Sequence, residues 1–123
     1  MTNTSPAHAD GGGSAYFEWA QFRWSVKSVS NSHVELYGLV KDTACDRRAP
    51  ALNFQFYDDE GVYIDSVQIR NSKGCNSTLT TTKKATATIL KGKRSGTVKV
   101  HKQKCSNSLC WGAGTVPSYY WQV

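Results

Sequence analysis

No acidic residue follows Asp65. The 123-residue chain carries a formal charge of +6, and that average conceals a split. Residues 1–72 hold all nine acids against six bases, a net of −3. Residues 73–123 hold nine bases (Lys73, Lys83, Lys84, Lys91, Lys93, Arg94, Lys99, Lys102 and Lys104) and no carboxylate to neutralise them. A positive half of this kind concentrates anions locally and speeds encounter with an anionic polymer or an acidic protein. The plainer role for the same residues is a solvated surface whose strand edges carry Lys against aggregation.

Other absences narrow the field. No apolar run is long enough for a membrane-spanning helix, and no heptad repeats, which excludes a coiled coil. No stretch of ten residues places apolar side chains at helical spacing. Gly-x-Ser-x-Gly, His-Glu-x-x-His and the Gly-rich phosphate loop ending in Lys are all missing, which removes the commonest hydrolase and nucleotide-binding templates. Gly11-Gly12-Gly13 precedes no helical pattern and cannot cradle a dinucleotide. No charged segment followed by an apolar one opens the chain, so any secretory leader is expected to be already removed.

What is present points to a secreted, strand-built domain. Cysteines stand at 45, 75, 105 and 110. An even count in a small Gly/Ser/Thr-rich chain implies two disulfides and an oxidising compartment. Cys105 and Cys110 enclose a short polar loop, which leaves Cys45 to pair with Cys75. Zinc ligands come as closely spaced pairs, and only Cys105/Cys110 approach that pattern, so no metal and no cofactor is expected.

From Tyr16 onward the texture is alternation. Ala20, Phe22, Trp24 and Val26 share one strand face; Val34, Leu36, Gly38 and Val40 share another; Leu52, Phe54 and Phe56 a third. Asn31-Ser32, Asp58-Asp59-Glu60-Gly61, Asn71–Gly74 and the basic stretch Lys91–Gly96 read as turns. The Thr- and Ala-rich residues 77–90 read as one or two strands, and Trp111–Val123 as a closing strand. About seven strands with two disulfides predict an all-β, single-domain antiparallel β-sandwich of immunoglobulin-like architecture over residues 15–123, with a small β-barrel as the alternative. Residues 1–14 read as a flexible Gly/Ser-rich tail.

Three functions fit this pattern. The first is a secreted, non-catalytic interaction or adaptor module, a subunit of an extracellular or toxin-like assembly. It would use Tyr37, Tyr57 and Tyr63 on one outer sheet face, Tyr119, Tyr120 and Trp121 near the end, and the basic turn Lys91, Lys93 and Arg94. Rigid aromatics and Arg are the usual anchors of protein interfaces. The second is a carbohydrate-binding module that stacks a cell-wall or environmental polysaccharide, or a cell-surface glycan, on the same aromatics. The third is a small basic ribonuclease, with His33, Glu35 and His101 as acid/base groups and Arg70 as the cation for phosphate. Nucleic acid is the least expected partner. Asp58-Asp59-Glu60 could offer calcium three carboxylates, but consecutive residues on a tight turn diverge, so a solvated turn is expected there.

Overall fold

The computed structural model describes residues 8–123. Ten strands and one short helix follow in chain order: β1 His8–Ala9, β2 Gly11–Phe17, β3 Ala20–Val29, β4 His33–Asp42, β5 Ala49–Asp58, β6 Tyr63–Arg70, β7 Thr78–Ala85, α1 Ala87–Leu90, β8 Ser95–Ser106, β9 Leu109–Ala113 and β10 Ser118–Gln122. They form the expected two-sheet sandwich. One sheet runs β2-β3-β4-β7, and the other β1-β10-β8-β5-β6 with β9 also paired to β8. The alternation read from sequence sets the layers. Phe22, Trp24 and Val26, Val34, Leu36 and Val40, and Leu52, Phe54 and Phe56 are all buried between the sheets, joined by Val98, Val100 and Trp121. Phe56 and Trp121 meet edge-to-face at 5.9 Å. Both disulfides form as expected, Cys45 with Cys75 and Cys105 with Cys110.

Three boundaries differ from the sequence reading, each for a physical reason. The expected tail, residues 1–14, is already strand from residue 8, while residues 1–7 lie outside the described residues. Gly11–Phe17 pairs along β3, Gly13 opposite Trp24. A Cβ on Gly13 would stand 2.6 Å from Trp24 Cζ2, and one on Gly12 2.6 Å from the Trp24 carbonyl oxygen. The glycines that resemble a linker therefore let β2 lie flat on an indole. At Asp10 the chain passes from one sheet to the other: its backbone N–H donates to Tyr120 O, and its Oδ1 accepts from Ser28 N at 2.7 Å.

Residues 77–90 hold one strand and then a helical turn, which delivers Leu90 to the core and ends on Lys91 in the left-handed region (φ 54°). The closing strand is two strands, β9 and β10, separated by residues 114–117. Both lie along the same side of the twelve-residue β8, β10 on its first half and β9 on its second.

The topology gives the sandwich two poles. One collects the β3–β4 and β5–β6 turns with the segment 86–94. The other collects the β2–β3 turn, the 43–48 loop, the 71–77 loop and the β8–β9 turn. Lys102 faces inward near this second pole. It is 2% exposed, sits 5.4 Å over the Trp24 ring and donates to the Thr115 carbonyl. No carboxylate pairs with it among the described residues.

The Gly13–Trp24 contact predicts a specific intolerance. Gly13→Ala should cost about 1–3 kcal/mol, because the new methyl overpacks a buried ring. Gly112→Ala should be close to neutral, since nothing lies within 4 Å of the Cβ it would add. Urea unfolding of the two variants measures the contrast; equal midpoints would show that β2 does not depend on close approach to Trp24.

Candidate functional site

The second pole is built from loops, and two disulfides hold them. Cys45–Cys75 ties the 43–48 loop to the 71–77 loop across a sequence separation of 30, with a Cα–Cα distance of 4.8 Å. Closing a loop of that size stabilises by roughly 3–4 kcal/mol in the chain-entropy model. Asn71, fully buried, fixes the second loop: its Nδ2 donates to Val40 O at 3.0 Å and Ser77 O at 3.1 Å, and its Oδ1 accepts from Lys73 N at 3.0 Å. Asp42 fixes the first, with Oδ1 accepting from Ala44 N at 3.0 Å.

Between these loops lies a cleft of about 450 Å³ whose lining includes Arg47, Arg48, Arg70 and Asn107. Arg47 sits in the left-handed region (φ 63°). Arg70, at the end of β6, donates from Nη1 to Asn107 O at 2.6 Å, while its buried Nε donates to nothing among the described residues. None of the three guanidinium groups pairs with a carboxylate there; the ion pairs among the described residues use Lys91, Lys93 and Lys104.

A second cleft, about 360 Å³, adjoins the first through Arg48 and is lined by Trp19, Lys104 and Trp111. Cations lie on both indoles: the Arg48 guanidinium 5.1 Å over Trp111 and Lys104 Nζ 5.3 Å over Trp19. Phe17 stacks on Trp19 at 4.9 Å. Lys104 also meets Asp46 at 3.0 Å. Desolvation would raise the Asp46 pKa, but the Lys104 ammonium and the Arg48 backbone N–H outweigh it and hold the carboxyl below its usual range.

Strand β9 edges this second cleft. Asn107-Ser108 forms a two-residue turn with Asn107 at φ 54°, so Ser106 and Leu109 close the hairpin as a hydrogen-bonded pair. Pairs alternate in an antiparallel ladder, which makes Cys105/Cys110 a non-hydrogen-bonded pair, in keeping with their 4.0 Å Cα separation. The N–H and C=O groups of Cys110 and Gly112 therefore point away from β8. Among the described residues no strand pairs with that edge. Leu109 is 60% exposed and Trp111 42%, and no charged residue occurs from Ser106 to the end of the chain.

The residues singled out from sequence are dispersed. Tyr57 and Tyr63 form a cross-strand pair at 5.7 Å, with Lys99 over Tyr57 at 4.8 Å. Tyr37 does not join them, because β4 belongs to the other sheet and its outer face points the opposite way. Tyr119 and Trp121 are core, not surface: Tyr119 Oη accepts from Trp24 Nε1 at 2.9 Å, and Trp121 Nε1 donates to Thr97 O at 3.1 Å. Of that trio Tyr120 alone is on the outer side. The basic turn is engaged at the first pole: Lys91 pairs with Asp65 at 3.2 Å, Lys93 with Asp58 at 3.8 Å, and Arg94 donates to Val123 O and Asn31 Oδ1. Asp58 Oδ1 also accepts the N–H groups of Glu60 and Val62, so the acidic turn caps itself.

His33 and Glu35 lie on the outer face of the β4 sheet, while Arg70 and His101 lie on that of the β8 sheet, so the four do not converge. Sequence reading missed Arg47, Arg48, Trp19, Trp111 and Leu109. The available signal was Arg47-Arg48 two residues after a bridged cysteine, and Leu-Cys-Trp directly after a two-residue turn. No known protein family, curated protein or solved structure matches the chain significantly, so its function is argued from the geometry.

Two bases, the buried Lys102 and the half-buried His101, give pH-dependent expectations. Desolvation lowers the Lys102 pKa from its usual 10.5. The folded state pays to keep this proton, fully at neutral pH and progressively less as pH rises toward the unfolded value. Lys102→Met should therefore raise stability by about 1 kcal/mol at pH 7, and the gap between variant and parent should close toward pH 10.5. Urea midpoints across that range read it, and a less stable variant would refute it. His101 is also lowered, by desolvation first and then by Lys102 and Lys99. Its contribution is intact above the unfolded pKa of about 6.5 and is lost as pH falls below it, when the unfolded chain takes up the proton first. His101→Gln should lose less stability than the parent between pH 7.5 and pH 5; parallel losses would refute the assignment.

Proposed function

We propose that this protein is a secreted, non-catalytic interaction module that binds a protein partner at the pole formed by the 43–48 loop, the 71–77 loop and the β9 hairpin. One observation carries the reading: an uncharged strand edge with exposed Leu109 and Trp111, unpaired among the described residues, runs beside arginines that have no carboxylate partner there. Trp and Arg are the side chains that most often dominate binding energy at protein interfaces, and an open edge supplies backbone hydrogen bonds. The two disulfides agree with an oxidising, extracellular setting. Glycan stacking is less well supported. The Tyr57 and Tyr63 rings meet at 69° and present no flat platform, and Tyr119 and Trp121 are buried.

The test is site-specific photo-crosslinking in the secreted fraction of the source. A crosslinker at position 109 should yield one protein adduct of defined mass. The same group at Val62, which is 57% exposed at the opposite pole, should yield none. The position-109 adduct should fall at least tenfold in Arg48→Glu. An adduct with glycan, or equal labelling from both positions, would refute the reading.

A further inference from the structure

We infer that the cleft between the 43–48 and 71–77 loops is a carboxylate site, and that its ligand is an acidic, extended segment of the protein partner that also pairs with the β9 edge. This rests on the preceding reading that the pole binds a protein, and it names the chemistry the partner presents.

Charge is the first argument. Three arginines contribute to the lining of the cleft against one aspartate, Asp42, and the Arg48 guanidinium lies at its border, over Trp111. The Asp42 side chain already accepts from Ala44 N, and nearby Asp46 is held by Lys104. The arginines thus share a space of about 450 Å³ with too little negative charge to balance them. Hydrogen bonding is the second. Arg70 uses Nη1 on Asn107 O but leaves its buried Nε without an acceptor among the described residues. A buried donor without a partner is costly, and Arg70 recovers that cost if its side chain turns into the cleft to meet a ligand oxygen. The Arg fork also matches a planar carboxylate in a way Lys does not.

The choice of occupant follows from neighbouring features. A second copy of the chain on β9 would bring the Arg48 guanidinium groups of both copies, each over its Trp111, toward one another, and like charges oppose that pairing. Residues 1–7 contain no Asp or Glu, so they cannot supply the carboxylate. A sulfated glycan could enter the cleft but has no peptide N–H and C=O groups for Cys110 and Gly112. An acidic peptide satisfies both places. Sheet order at this pole is β9-β8-β5-β6. A strand added outside β9 is therefore about 19 Å from β6, roughly six residues of extended chain from Arg70.

The experiment uses the whole protein and three probes, read by amide chemical shifts and hydrogen exchange. Sodium sulfate, compared with sodium chloride at equal ionic strength, should shift Ser72, Gly74 and Asn107 saturably. A capped peptide of alternating Glu and Thr should shift the same amides at lower concentration and also slow exchange at Cys110 and Gly112. Arg47→Gln and Arg48→Gln, both at exposed positions, should each weaken the two ligands at least tenfold without lowering the thermal midpoint. Absence of a sulfate-specific shift, or undiminished affinity in both variants, would overturn the carboxylate site. A heparin oligosaccharide that binds more tightly than the peptide and leaves Cys110 and Gly112 unprotected would overturn the protein source. A position-109 adduct together with negative sulfate and peptide arms would defeat this inference alone. A peptide-filled cleft with no position-109 adduct would defeat the broader reading.

Discussion

The indole of Trp24 is the contact on which the rest of the molecule depends. It lies on β3 between the sheets, and its Nε1 donates to Tyr119 Oη of the opposite sheet at 2.9 Å. Both groups are buried, so each satisfies a polar atom that would otherwise be costly. Gly13 is a glycine because the ring occupies the space of its side chain. Lys102 lies over the same ring and reaches Thr115, in the segment that joins β9 to β10. One residue thus connects the first long strand, the interior of both sheets and the loop that ends β9. The ammonium is an expensive member of this set, since burial works against its charge. Its bond to the Thr115 carbonyl gives it a local role in fixing the segment that joins β9 to β10.

The fold redistributes the charge asymmetry of the sequence. The positive half looks like a binding surface when counted along the chain. In space two of the three bases in its densest cluster return to the β5–β6 hairpin, Lys91 to Asp65 and Lys93 to Asp58, while Arg94 donates to Val123 O and Asn31 Oδ1. The three arginines of the cleft come from the half whose net charge is negative. Arg47 and Arg48 follow Cys45, and Arg70 ends β6, so the topology delivers all three to one pole. Net charge by segment therefore does not locate the arginine-lined cleft. Sequence separation says little about which opposite charges meet across two sheets.

Local pattern carried the layers well and the surface poorly. Alternation in β3, β4 and β5 identifies the buried faces because one side of each strand must be apolar. The disulfide pairing followed from loop length. The Tyr119-Tyr120-Trp121 run was ambiguous in phase, since any alternation of three aromatics buries some and exposes others. The partner across the sandwich, the Trp24 indole, decided that Tyr119 and Trp121 face inward. Tyr37 was assigned beside Tyr57 because neighbouring strands in sequence usually pair. The crossing from β4 to β5 changes sheets instead, and nothing local to residues 43–48 reports that. Gly11–Gly13 carried a linker composition whose actual cause, close approach to a ring, is visible only with β3 in place.

Placing the cleft on loops raises the question of how three like charges are kept together. Guanidinium groups in a shared cavity repel, and a free loop would relax by moving them apart. Here the Cys45–Cys75 bridge joins the two loops covalently, Asn71 pins one of them to β4, and Arg70 is anchored on a strand end through Asn107. The Cys105–Cys110 bridge likewise fixes the β8–β9 turn to which Asn107 belongs. The repulsion is therefore borne by covalent and backbone bonds already formed in the free protein. A ligand that brings negative charge need not order these loops first, and loop ordering is a principal cost of association. Two disulfides concentrated around one pole thus do more than stabilise the fold: they hold the arginine-lined loops in place before any ligand arrives.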